Sequence, residues 1–122
     1  MGAFGKLQAY KFAVLLSKPF TEWDAFKLGI INEKGEILKR PVTSEERNSL
    51  DTFENLVRKI KKLLVKYIPD TRFLQFLIAA YLLKNESEYD IFTKITEELS
   101  IKEQDMLHGI LNDISSMKNL KG

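Results

Sequence analysis

The feature that most constrains this chain is a set of apolar residues with helical spacing between positions 50 and 68. Steps of three and of one place these residues on a single face of an α-helix. They are Leu50, Phe53, Leu56, Val57, Ile60, Leu63, Leu64, Tyr67 and Ile68. Thr43 and Glu46 stand before them with the spacing of a capping box. Because Pro69 cannot continue a helix, the pattern predicts one long helix from about residue 44 to residue 68.

Other segments have the composition or spacing of further helices. Residues 7–17 are densely apolar and rich in good helix formers, which favours helix over buried strand. Residues 70–84 are apolar on nearly every side, so they predict the central helix, with Asp70 as its cap. Ser87 and Ser100 each begin a cap signal followed by an amphipathic stretch. The core is expected to include Leu56, Ile60, Leu77 and Leu111.

A β-prone stretch interrupts the helical patterns. Residues 28–32 and 36–40 are rich in Ile and Leu and flank Glu33-Lys34-Gly35, where glycine can take the positive φ of a tight turn. This pattern predicts a hairpin that lies against the helices, because two strands alone are not stable. The expected fold is therefore mainly α: a bundle of four to five helices with one inserted β-hairpin at about residues 28–40.

The size and composition of the chain limit its organisation. Its 122 residues can bury one core but not two, so residues 1–122 are expected to form a single domain with residues 1–5 and 118–122 frayed. The sequence contains no cysteine, which excludes disulfides and thiolate metal sites. It has neither a secretory signal pattern nor an apolar run near the roughly 20 residues that cross a bilayer. A cytoplasmic protein with no membrane partner is expected.

Candidates for catalysis are few. His108 is the only histidine, so a two-histidine metal site is excluded and a single imidazole remains for acid–base chemistry. Asp105 lies one turn before it and could form a surface hydrogen bond, but no nucleophile motif completes a triad. Phosphate-binding glycine loops and zinc motifs are also lacking. We expect no enzymatic activity, no metal and no cofactor.

Basic residues on the long helix are the first candidate binding surface. Arg58, Lys62 and Lys66 have i, i+4, i+8 spacing, with Lys59 beside them, opposite the apolar face. This basic ridge could bind an acidic protein or the phosphates of a nucleic acid, or it could be the solvated face of an amphipathic helix. A net charge of +2 and the lack of aromatics among the lysines disfavour nucleic acid.

Aromatic residues beside the predicted hairpin are the second candidate. Phe20, Trp23 and Phe26 lie within seven positions, and Trp23 and Phe26 are spaced to cover one patch of a helix. Aromatic side chains suit protein interfaces because they bury a large area with few torsions to freeze. The alternative is that they seal the hairpin to the core.

The segment Pro19-Phe20-Thr21-Glu22-Trp23-Asp24-Ala25-Phe26-Lys27-Leu28-Gly29-Ile30-Ile31-Asn32 also carries a resemblance. Together with Glu45-Glu46-Arg47-Asn48 and the basic helix that follows, it resembles small uncharacterised proteins of tailed bacteriophages over about the first half of the chain. The resemblance implies a role in the virion or its assembly.

A non-enzymatic structural or assembly protein that binds protein partners, either itself or other virion proteins, is therefore expected. The alternative is a small nucleic-acid-binding or transcription-associated factor that uses the basic ridge.

Overall fold

The computed structural model describes the backbone of residues 3–121 and the side chains of residues 5–116. Over these residues the chain forms α-helices joined by short connections, with 3₁₀ turns at Phe20–Glu22 and Asp70–Arg72. The helices are α1 (Ala3–Ser17), α2 (Asp24–Lys27), α3 (Ser44–Ser49), α4 (Thr52–Leu64), α5 (Phe73–Tyr81), α6 (Glu86–Thr96) and α7 (Ile101–Lys121). The mainly α class is confirmed. No helix within the described residues is both long and apolar enough to cross a membrane.

The first and last helices of the described chain extend into the two stretches that were expected to fray. Helix α1 begins at Ala3 and α7 continues to Lys121, and the fraying of residues 1–5 and 118–122 stays a prediction. Residues 1, 2 and 122 lie outside the described part of the chain.

The long helix predicted for residues 44–68 is divided in two. The capping box is confirmed: Thr43 Oγ1 accepts from the Glu46 N–H, and the Glu46 carboxylate accepts from the Thr43 N–H. However, α3 ends at Ser49, and the Asp51 carboxylate then accepts from the N–H groups of Phe53 and Glu54 to cap α4. A strong second cap thus allows the chain to turn between two helices.

Of the three other predicted helix caps, one is confirmed and two are not. Ser100 is confirmed as the cap of α7, since its hydroxyl accepts from the Glu103 N–H while the Glu103 carboxylate accepts from the Ser100 N–H. Ser87 is inside α6, which begins at Glu86, so its prediction is wrong. Asp70 opens a 3₁₀ turn before α5 and makes no side-chain cap bond there.

Helix α5 is central, as its sequence predicted. Its buried residues, Phe73, Phe76, Leu77 and Ala80, belong to one core cluster, and α5 packs against α1, α6 and α7. The four predicted core residues are all buried: Leu56, Ile60, Leu77 and Leu111. One core therefore organises the described helices.

The predicted β-hairpin is wrong as a pair of strands. Residues 28–40 contain no strand, and their only β contact is an isolated antiparallel bridge between Ile31 and Ile37. The reversal itself occurs where expected, and Gly35 has the predicted positive φ, +82°. Asn32 explains the tight reversal, because its side-chain oxygen accepts from the N–H groups of both Lys34 and Glu36. We call residues 32–36 the Asn32 turn.

Candidate functional site

Helix α4 carries charged residues on two sides, and the Asn32 turn packs on one of them. Arg58 is only 9% exposed. Its Nη1 donates to the Gly35 carbonyl at 3.0 Å and its Nε donates to Asn55 Oδ1 at 2.9 Å. The prediction that Arg58 belongs to an exposed ridge is therefore wrong: the residue anchors the turn to the helix.

Lys61 is buried more deeply, at 6% exposure. Its ammonium donates to the carbonyl oxygens of Leu16 at 3.0 Å and Lys18 at 2.7 Å, where α1 ends. The last carbonyls of a helix lack intrahelical partners and carry the negative end of its dipole, so a cation is favoured there. The ammonium also lies 5.0 Å from the ring centroid of Phe20 and 5.7 Å from that of Phe73. Burial lowers the pKa of Lys61 to about 8, with an opposing influence from Asp70.

The remaining residues of the predicted ridge have different surroundings. Lys59 pairs with Glu103 of α7 at 2.8 Å. Lys62 is half-buried, while Lys66 is exposed and lies beyond the end of α4 at Leu64. The i, i+4, i+8 alignment of the ridge is wrong because the helix ends before Lys66.

The predicted aromatic patch is mostly part of the core. Trp23 is 2% exposed, and its Nε1 donates to the Lys18 carbonyl at 3.4 Å. Phe20 and Phe26 are half-buried, and the centroids of the Phe20 and Trp23 rings lie 5.0 Å apart. Trp23 cannot serve as an exposed interface residue, whereas Phe20 still reaches the surface.

These elements enclose a groove of about 770 Å³ beside α4. Its apolar lining consists of Pro19, Phe20, Leu63, Val65 and Phe73. Its basic lining consists of Lys34, Arg58, Lys59, Lys61, Lys62 and Lys66, and its acidic lining consists of Glu33, Glu36, Asp70 and Glu98. We call this cavity the α4 groove. It brings Phe20 and the four predicted basic residues together, and it excludes Trp23 and Phe26.

The arrangement around His108 is aromatic. Its ring stacks on Tyr81 with centroids 5.2 Å apart and also faces Phe92 at 6.5 Å. Within the described residues, no group of three or more His, Cys, Asp or Glu side chains is placed to hold a metal ion. His108 therefore packs between α5, α6 and α7 through aromatic contacts.

Sequence reasoning missed the inward role of Lys61 and the burial of Glu54. A signal was present, because Lys61 is four residues after Val57 and three before Leu64, both in the apolar face. Glu54 has a buried carboxylate oxygen, Oε1, that makes no hydrogen bond within the described structure. Burial and, to a smaller extent, the neighbouring Asp51 together raise the pKa of Glu54 to about 7.

Comparison of the chain with protein-family models, with curated proteins and with solved structures finds no match in any of the three.

Proposed function

We propose that this chain is a non-enzymatic structural or assembly protein that holds a segment of a protein partner in the α4 groove. The observation that carries the proposal is the combination of an apolar lining with charged groups of both signs around one groove. Protein interfaces combine an apolar centre with a polar rim, and the groove offers both. The resemblance of residues 19–32 to small phage proteins favours another virion protein as the partner.

The charges of the groove favour protein over nucleic acid. Of its six cations, Arg58, Lys59 and Lys61 are already engaged by the protein's own carbonyl and carboxylate oxygens. Lys34, Lys62 and Lys66 remain, and they share the lining of the groove with four carboxylates. A phosphate backbone would be repelled by those carboxylates, whereas a protein segment can present charges of both signs.

The partner prediction changes accordingly. An acidic protein was one of the alternatives that the lysines left open, and the groove instead fits a segment that pairs carboxylates with Lys62 and Lys66 and a cation with Glu33 or Glu98. An apolar side chain of the same segment would contact Phe20 and Leu63.

The test is chemical cross-linking followed by affinity purification from the native source, with the wild type compared with Lys62→Glu/Lys66→Glu. Lys94→Glu/Lys102→Glu is the matched control, because both lysines are exposed, lie outside the groove and give the same change in net charge. The groove variant should lose its partner or bind it about tenfold more weakly, while the control keeps it. Equal recovery of the partner by the groove variant and the wild type would contradict the proposal.

A second measurement tests the nucleic-acid alternative. Binding to random-sequence DNA and RNA at low salt should be absent or unchanged in the groove variant. Affinity that falls linearly with salt on logarithmic scales, and is lost on reversal of Lys62 and Lys66, would favour the alternative.

A further inference from the structure

Residues 36–40 present an unpaired backbone edge. The Asn32 N–H donates to the Glu36 carbonyl at 3.0 Å, and the Leu38 N–H donates to the Ile30 carbonyl at 2.7 Å. These two bonds flank the antiparallel bridge between Ile31 and Ile37. In such a pair the N–H and C=O of Ile37 point away from Ile31, toward the open side. Among the described residues, neither group has a backbone partner.

The side chains of this edge are also uncovered. Ile37 is 50% exposed and Leu38 is 60% exposed, although both residues favour strands or packed positions. An exposed edge with apolar side chains is a template on which another chain can add a strand.

We propose that two copies of this chain pair through residues 36–40 as antiparallel strands about a two-fold axis at Leu38. The N–H and C=O of Ile37 would then bond the C=O and N–H of Lys39 in the other copy, giving four hydrogen bonds across the axis. Leu38 would lie against Leu38 of the other copy, and Glu36 would lie opposite Arg40 at both ends of the pairing.

Charge pairing favours this register over the register shifted by one residue. An axis placed at Ile37 would set Glu36 opposite Leu38 and leave Arg40 without a carboxylate. The axis at Leu38 forms two Glu36–Arg40 pairs on one face of the ribbon and covers Ile37 with the aliphatic part of Lys39 on the other face. In the described part of the single chain, Arg40 makes no ion pair.

Pairing requires one local change. The chain bends at Lys39, whose ammonium pairs with Glu46 at 3.2 Å. The Lys39 side chain is 53% exposed and that of Glu46 is 16% exposed, so the ammonium can leave this pair for water at little cost when the segment straightens. Pro41 then ends the strand.

The test is sedimentation equilibrium of the wild type, Glu36→Arg, Arg40→Glu and an equimolar mixture of the two variants. Loading extends to about 1 mM, because a small interface gives weak affinity. The wild type should dimerise, and each variant alone should bind itself at least about tenfold more weakly, since every end pair becomes repulsive. The mixture should recover a dimer near wild-type affinity, because each Arg then faces a Glu.

This experiment also distinguishes loss of pairing from loss of folding, and distinguishes self-association from partner binding at the α4 groove. A variant that merely unfolded would not be rescued in the mixture, and circular dichroism of each variant checks its helicity. Lys62→Glu/Lys66→Glu should dimerise like the wild type, because the pairing uses Glu36 of the α4 groove but neither Lys62 nor Lys66. A wild type that stays monomeric throughout, a dimer insensitive to both single reversals, or no recovery in the mixture would each overturn the proposal.

Discussion

Helix α4 has two sets of charged residues that face different surroundings. Glu54, Arg58 and Lys61, at i, i+4 and i+7, form the inner row, whereas Lys62 and Lys66, which lies just beyond the end of the helix, form the outer row. Both sets look alike in sequence, because each has nearly helical spacing and strongly polar side chains. In the structure, the Asn32 turn covers Arg58 and the end of α1 covers Lys61. Helical spacing tells which side chains lie together, but not whether another segment covers them.

The two rows therefore differ in what their removal should cost. A buried donor that is deleted leaves its acceptor without a partner, at a cost of about 1–3 kcal/mol. An exposed ammonium is replaced by water at almost no cost. The inner row is expected to matter for stability and the outer row for binding.

The largest expected effect is on the turn that receives Arg58. Gly35→Ala should destabilise the protein by about 3 kcal/mol, because the residue has a positive φ and its new Cβ would meet the Phe20 ring at 2.5 Å. Gly29→Ala is the matched control: φ is +76° there, but nothing lies within 4 Å of the new Cβ. The control should lose only about 1 kcal/mol in denaturant unfolding. Equal losses would show that Phe20 moves aside freely.

The next effect concerns Lys61. Lys61→Met should destabilise the protein by about 2 kcal/mol at pH 7, since the carbonyls of Leu16 and Lys18 lose their donor. The neighbouring Lys62→Met, which these two carbonyls do not contact, should lose less than about 0.5 kcal/mol in the same unfolding assay. Similar losses for both variants would mean that the inner row has no special importance here.

Stability at high pH sharpens the same test. The pKa of Lys61 is about 8 in the folded protein and 10.5 when unperturbed, so between these values the unfolded chain binds more protons. The contribution of Lys61 to stability then rises with pH across that interval in the wild type. The difference between wild type and Lys61→Met should widen between pH 8 and pH 10, and a constant difference would contradict the assignment.

Much of the fold could be predicted because local signals and packing agree. Helix caps and apolar faces are properties of single helices, and the structure confirms both. The examples are the capping boxes at Thr43 and Ser100 and the buried face that contains Leu56 and Ile60. The division of the long helix at Leu50 was missed because the Asp51 cap competes with a continuous apolar period. The sequence predicted two strands because Ile and Leu favour strands. Side-chain preference alone does not create backbone pairing beyond the single bridge between Ile31 and Ile37.

The candidate site was less predictable because it depends on contacts between distant segments. Arg58 and Gly35 are 23 positions apart, and Lys61 lies 45 positions from Leu16. No local pattern encodes such pairs. The sequence identified the basic residues of the groove, but the placement of Arg58 and Lys61 on the inside follows from which turn and which helix end pack on α4.

A smaller effect is expected for Glu54 of the inner row. The folded protein keeps the Glu54 proton up to a pKa of about 7, whereas the unfolded chain releases it near 4.5. The folded state binds more protons between these values, so stability falls as the pH rises. Glu54→Gln removes this fall and should gain about 1 kcal/mol at pH 8, a figure that allows for solvent reaching the carboxyl. The exposed Glu45→Gln is the control, and an equal gain there would contradict the role of burial.

The smallest effect is expected for the outer row. Lys62→Glu/Lys66→Glu should change the free energy of unfolding by less than about 0.5 kcal/mol, because these ammonium groups make no hydrogen bond or ion pair within the described structure. The variant has a second readout at Glu36, whose pKa is lowered by a hydrogen bond from Asn32 and by the charge of Lys62. Reversing Lys62 removes the second cause, so an NMR titration should show the pKa of Glu36 rising while stability hardly moves. A loss of stability like that of Lys61→Met would erase the distinction between the two rows, because it would show that the outer lysines also hold the fold together.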